Sequence, residues 1–189
     1  MPLPTSPRTA DDLFHMPDDG RRYEIIRGDV FVMPAPSRFH QRAVVALLER
    51  LLPYVAPSGH EALASPLAVR AAFNTQVEPD VVVAPRELDH EGGARWVRMR
   101  SVSLAVEVLS EGTASRDRAV KRDLYLAEGV GKYWIVDIDA ELVEVWTAAS
   151  AVPRIVREVL TWSPAFAASP LHIPLASFFD QVRTGRARA

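Results

Sequence analysis

The chain has 189 residues, 48% hydrophobic and 24% charged, with a net charge of −2; that suits one domain with a real core and gives no global basic field to attract nucleic acid. It contains no cysteine, which removes disulfides, thiolate nucleophiles and cysteine zinc sites together. Residues 1–8 lack a basic-then-apolar signal pattern, and no stretch approaches the ~20 apolar residues of a membrane span. A soluble cytoplasmic protein with no membrane partner is therefore expected.

A proline-rich segment, 1–8, reads as a flexible N-terminus. Thr9 and Asp12 mark a short helix over 10–15. Tyr23–Ile26 and Val30–Met33 read as strands joined by the tight turn Arg27-Gly28-Asp29. Ser37 then caps a long helix whose apolar positions Val44, Val45, Leu47, Leu48, Leu51, Leu52 and Val55 recur at helical spacing. Residues 62–73 and 80–84 suggest strands, 86–100 a polar loop (Asp89, His90, Glu91, Gly92, Gly93), and 102–109 a third central strand. Thr113–Glu128 reads as a helix stopped by Gly129. Tyr133–Asp137 pairs with Glu141–Thr147 as a hairpin, 154–162 gives one more strand, and Leu175–Val182 a last short helix. One domain is expected over 9–182, followed by a flexible basic tail, 183–189. The element order predicts an α/β (α+β) fold with a mixed sheet flanked by helices.

Several ionisable residues fall where burial would be costly. Glu107 sits in the run Leu104-Ala105-Val106-Glu107-Val108-Leu109, and Asp80 heads Asp80-Val81-Val82-Val83-Ala84. Strands this apolar lie inside sheets covered on both faces, where an unpaired carboxylate costs several kcal/mol, on the order of a lost buried ion pair. For Asp80 the plain alternative is a strand-start residue bonding nearby amides. For Glu107 it is an edge strand facing water, which the apolar neighbours Ala105 and Leu109 on its own face oppose. Lys121 shares a helical face with Asp117 and Tyr125. Either Asp117–Lys121 is a surface ion pair, or the lysine stem runs along a buried border beside Val120 and Leu124. Glu24 reads as an exposed strand residue, and His40 as a capping or solvated histidine. Two acids and a lysine on core elements point to a metal-dependent hydrolytic site. Nucleophile-elbow, phosphate-loop and His-Glu-x-x-His motifs are absent.

Taken together, these segments resemble a known family, the Uma-type restriction endonucleases of the PD-(D/E)XK nuclease superfamily. The resemblance rests on Arg22-Tyr23-Glu24-Ile25-Ile26-Arg27-Gly28-Asp29, on Met33-Pro34-Ala35-Pro36-Ser37 with His40, and on Glu78-Pro79-Asp80-Val81-Val82-Val83. Its strongest block is Val106-Glu107-Val108-Leu109-Ser110, continued by Thr113, Asp117, Lys121, Arg122, Tyr125, Gly129, Val130 and Tyr133-Trp134-Ile135-Val136-Asp137. It covers roughly residues 9–180.

The resemblance implies a restriction-endonuclease-like core, a four-stranded mixed sheet with a helix on each face, here with extra C-terminal antiparallel strands. It implies Asp80 and Glu107 as ligands of Mg²⁺ (or Mn²⁺), with the Val108 carbonyl a third. The superfamily lysine position is Leu109 here, so the lysine would be Lys121 from the next helix, and Glu24 would contribute from the N-terminal side. His40, Ser110, Asp117 and Tyr125 would support these, and Arg116, Arg118 and Arg122, with Lys121, would meet DNA. For the arginines an ordinary solvated helix face is the alternative. Glu111 stands where the family often has proline, and adds negative charge near the site.

The expected function is Mg²⁺-dependent hydrolysis of DNA phosphodiesters. The rival is a DNA-binding or regulatory protein with weak or no catalysis on the same fold. A glycosidase use of the carboxylates is disfavoured, since an adjacent lysine would lower the acid's pKa. A homodimer is expected for cutting both strands, with Val143, Val145 and Trp146 as candidate contact surface.

Overall fold

A computed structural model of the protein describes residues 9–17, 19–87, 95–110 and 112–186. A 3-10 helix, Ala10–His15, starts where Thr9 donates its N–H to Asp12 at 2.7 Å. Strands β1 (Arg22–Ile26) and β2 (Asp29–Met33) form a hairpin. Its two turn residues, Arg27 and Gly28, have φ of +53° and +90°, the positive values a type I′ turn requires at both positions. Helix α1 (Arg38–Val55) is capped by Ser37, whose hydroxyl accepts the His40 N–H at 3.1 Å.

The chain continues through β3 (His60–Ala64), β4 (Ala68–Ala72), β5 (Thr75–Val77), β6 (Val81–Pro85), β7 (Trp96–Arg98) and β8 (Leu104–Val108). A helical stretch over 114–127 then runs through α2 (Ala114–Arg116), a π-helical turn Asp117–Lys121, and α3 (Arg122–Ala127). Gly129, at φ +83°, ends it. Then come β9 (Tyr133–Asp137), β10 (Leu142–Trp146), β11 (Arg154–Val156), β12 (Val159–Trp162), β13 (Leu171–Pro174) and α4 (Leu175–Thr184).

The described strands form a mixed six-stranded sheet, β11-β10-β9-β8-β6-β3, a five-stranded sheet, β2-β1-β5-β4-β7, and the ribbon β12-β13. Within the six-stranded sheet only β8 and β9 run parallel. Alternation along β8 splits the interior. Leu104, Val106 and Val108 pack with α1 and α4 on one face, through Leu47, Leu51 and Phe178. Ala105 turns to the other face, where Leu124, Tyr125, Tyr133 and Ile135 gather. The central strands are buried on both faces, as their near-continuous apolar composition requires.

Several expectations need correction. The stretch 62–73 is not one strand: β3 and β4 flank Pro66 and enter different sheets, since proline has no N–H for a ladder. Likewise 154–162 divides at the exposed Arg157 and Glu158, with β11 joining β10 and β12 joining β13. Strands β5 and β13 went unforeseen, and so did β7, inside the stretch expected to be loop. The remainder of that loop, 88–94, lies outside the described residues, as do 1–8. Arg183 and Thr184 belong to α4 rather than to a tail, and Arg183 pairs with Glu141. Val143, Val145 and Trp146 are buried, so the dimer surface expected there is consumed by the fold. Among the described residues no helix is long and apolar enough to cross a membrane.

Candidate active site

Strand β8 carries Glu107 into the middle of the molecule, with only 3% of the residue exposed. The hairpin β1-β2 brings Glu24, fully buried, from the five-stranded sheet. Between them stands Lys121, also fully buried; its Nζ donates to Glu24 Oε1 at 2.8 Å and to Glu107 Oε1 at 2.9 Å. Asp117 lies one turn earlier, its Oδ1 4.0 Å from that ammonium and with no hydrogen-bond partner among the described residues. Tyr125, one turn later, donates its hydroxyl to Glu107 Oε1 at 2.8 Å. Tyr133 packs on Tyr125 and donates to the Asp117 carbonyl at 3.1 Å.

The two readings left open for Lys121 both fail. It is neither a surface partner of Asp117 nor a border residue but the buried link between two sheets. Val120 is 41% exposed and Leu124 is buried. Glu24 is likewise not the exposed strand residue expected from its segment. Its Oε1 also accepts the Glu78 N–H at 2.8 Å, and its Oε2 is buried with no partner among the described residues.

Asp80 sits just before β6, at the same end of the sheet as Glu107. Its Oδ2 accepts the Val108 N–H at 2.8 Å and lies 3.0 Å from His40 Nε2. The sheet register explains this. Ala105 and Leu109 donate amides to Lys132 and Val136, so the even-numbered residues of β8 address β6. Val106 faces Val81, and one step further Val108 faces Pro79. Proline offers no N–H to the Val108 carbonyl, and the Val108 amide turns to the Asp80 side chain. His40 is neither cap nor solvated: Ser37 provides the cap, and the ring, in a residue 8% exposed, is turned onto Asp80.

Electrostatics follow from burial. Desolvation pushes the Glu107 carboxyl well above the usual carboxylate range; Lys121 opposes this, while Asp117, Asp80 and Glu24 add to it. Burial also raises Asp117, against the pull of Lys121 and of the Thr113 hydroxyl. Burial alone would lower Lys121, but Glu107, Glu24 and Asp117 outweigh it and hold the ammonium above its ordinary value. Desolvation raises Tyr125 and Tyr133 as well, with Glu107 the next cause for each, so both remain hydroxyl donors at neutral pH.

Asp80 and Glu107 offer hard carboxylate oxygens, the donors that Mg²⁺ or Mn²⁺ takes. The described contacts engage them through Oδ2 and Oε1, and the Val108 carbonyl adds a backbone oxygen beside them. Among the described residues no group of three or more acids or histidines forms a self-sufficient metal cage. Two carboxylates and a carbonyl, completed by waters, nonetheless fit magnesium, which keeps much of its hydration. Both carboxylates are nearly out of water, with the Asp80 and Glu107 side chains 9% and 4% exposed.

The other expected residues divide. Ser110 bonds the Thr113 hydroxyl at 2.9 Å, at the entry to α2. Arg118 is held by Glu144 at 2.6 Å and Asp137 at 2.8 Å, and Arg122 pairs with Asp123 over the Trp146 ring. Arg116 lies over Phe31. With Lys121 buried, the four cations do not form the surface patch expected of them. Glu111 lies outside the described residues. Glu78 was not among the expected residues: burial raises its carboxyl, its Oε2 has no hydrogen-bond partner among the described residues, and it lies 3.8 Å from Arg22. Its place two residues before Asp80 was the available signal.

The family model described as Uma2, putative restriction endonuclease, matches residues 10–169. Among solved structures, a putative nuclease belonging to DUF820 from Anabaena variabilis ATCC 29413 superposes with a TM-score of 0.78 at 20% identity, over 93% of this chain and 99% of that one. At that identity the likeness speaks to the fold. No curated protein matches the chain.

Proposed function

The chain belongs to the Uma2 family of putative restriction endonucleases, and on that premise we propose that it is a Mg²⁺-dependent (or Mn²⁺-dependent) endonuclease hydrolysing DNA phosphodiester bonds in the cytoplasm. The observation that carries this reading is the meeting of Asp80, Glu107, Glu24 and Lys121 from four separate segments of the chain. A bound metal ion would polarise the phosphate and acidify a water. Asp80, Glu107 and the Val108 carbonyl would hold it.

The remaining roles belong to the chain. His40 and the Val108 amide fix the Asp80 carboxylate in one orientation. Lys121 and Tyr125 fix Glu107, both through Oε1. With its Nζ committed to two acids and its pKa held high, Lys121 stays an ammonium. It is a positioning residue whose charge draws the Glu107 carboxyl back toward its ionised form, rather than a base that takes a proton from water. Hydrolysis forms a P–O bond to the water oxygen and breaks the bond to the leaving alkoxide, which takes up a proton. Arg116, Arg118 and Arg122 are the proposed DNA contacts, Arg118 and Arg122 by exchanging their acid partners for phosphate.

Two copies related by a twofold axis would cut both strands. The dimer then needs a surface other than Val143, Val145 and Trp146.

A second reading is a DNA-binding or regulatory protein with weak or no catalysis. It is favoured by the acid partners of Arg118 and Arg122 and by the net charge of −2. Supercoiled plasmid incubated with the protein in Mg²⁺ separates the two. Cleavage that stops in excess chelator and is lost in Glu107→Gln supports the nuclease. Cleavage that persists in chelator refutes the metal mechanism, and DNA retention in a gel without cleavage favours the second reading.

A further inference from the structure

On the face of the six-stranded sheet opposite Glu107, a cavity of about 310 Å³ opens between β9, β10, β11 and the ribbon β12-β13. Trp134 and Val145 line it, and both pack in the cluster on the α1 side of the sheet, whereas Glu107 faces Tyr125 on the other. It is therefore separate from the candidate active site.

Its lining combines two chemistries. The floor is apolar, made by Trp134 and Trp162, whose rings meet edge to face with centroids 5.8 Å apart. The wall carries two cations, Lys132 and Arg154, with no carboxylate beside them in the lining. Among the described residues neither cation is paired with an acid. Thr147 and Ser150, their hydroxyls 2.7 Å apart, add donors on the same side. The volume lies at the lower end of small-ligand sites. Two positive charges with adjacent hydroxyls suit a dianionic phosphate group. The indole edges and Val145 suit a flat apolar body attached to it.

We propose that this cavity binds a small phosphate monoester with an aromatic body, a ligand of nucleoside monophosphate size, through Lys132 and Arg154. The site does not depend on the nuclease reading and holds whether or not Glu107 supports cleavage. Arg154 is exposed on an edge strand, so its replacement leaves the core intact.

Isothermal titration of the full chain, in chelator so that no metal bridges phosphate to Asp80 or Glu107, tests it with three probes: adenosine 5′-monophosphate, adenosine and inorganic phosphate. The monophosphate is expected to bind saturably, one per chain, with adenosine and phosphate each at least tenfold weaker. Arg154→Gln and Lys132→Gln should each weaken it by about tenfold or more, the scale of one charge-assisted contact, and Glu107→Gln should leave it unchanged. Absence of saturable binding overturns the proposal, and so does binding that survives both cation substitutions. Adenosine binding as tightly as the monophosphate refutes the phosphate assignment; inorganic phosphate doing so refutes the aromatic body.

Discussion

Replacing Lys121 by methionine tests whether the buried ion cluster is held by its single cation. The substitution keeps the length of the stem and removes only the charge and its hydrogen bonds. Nζ contacts Glu24 at 2.8 Å and Glu107 at 2.9 Å, and Asp117 lies at 4.0 Å. All four side chains are essentially out of water, 0–4% exposed. Removing one partner of such a buried pair leaves uncompensated charge and costs about 3–5 kcal/mol, set against a total stability of about 5–15 kcal/mol for a domain.

The loss should depend on pH in a definite direction. Glu107 and Asp117 have folded-state pKa values raised above the ordinary carboxylate range. A raised acid contributes stability that is full below its unfolded-state value and is lost as pH rises through the folded one. Lys121, raised as well, stays protonated across the neutral range. Without it the acids hold their protons to still higher pH, so the deficit of the variant should shrink from pH 8 to pH 5. Urea unfolding of both proteins at the two pH values measures this as a shift in midpoint at constant slope. A deficit below about 1 kcal/mol, the scale of an exposed salt bridge, or one that does not change with pH would refute the argument.

Other outcomes follow from single contacts. His40→Ala removes the ring that orients Asp80, so half-saturation by Mg²⁺ in a cleavage titration should rise about 10–100-fold, the usual effect of losing a group that orients a metal ligand; an unchanged curve would leave His40 without that role. Gly129→Ala places a Cβ at φ +83° with nothing within 4 Å of it, so only backbone conformation opposes it and thermal unfolding should show a loss of about 1–2 kcal/mol. Light scattering at micromolar concentration should give about twice 20.9 kDa; a mass near that of one chain rules the dimer out.

Much of this architecture was legible in the sequence, because its strongest signals are local. Arg27-Gly28 announced its turn, the spacing from Val44 to Val55 announced α1, and the run around Glu107 announced a strand covered on both faces. What was hidden depends on distant partners. β5 and β7 are three residues long and are strands only because β1 and β4 lie beside them. The burial of Glu24 was half visible, since alternation places it on one face with Ile26, but nothing nearby in sequence supplies its cation. Lys121 was placed at a border by an α-helical wheel, and the chain there is not α-helical. Pairing of Arg118 with Glu144 and Asp137 likewise joins elements that only the finished sheet brings together.

The wide turn over Asp117–Lys121 has a consequence for how the gene can change. Deleting exposed Val120 from that loop of backbone would look harmless by accessibility alone, since 41% of the residue faces water. A π-helical turn holds one residue more than an α-helical one, so losing Val120 would let it close to regular α-helix. Arg122–Ala127 would keep its facing, with the Tyr125 hydroxyl still turned to Glu107. Losing Asp123 from α3 itself would instead turn Tyr125 by roughly 100° and carry its hydroxyl off Glu107. The length of α3 is under tighter constraint than the length of the turn before it.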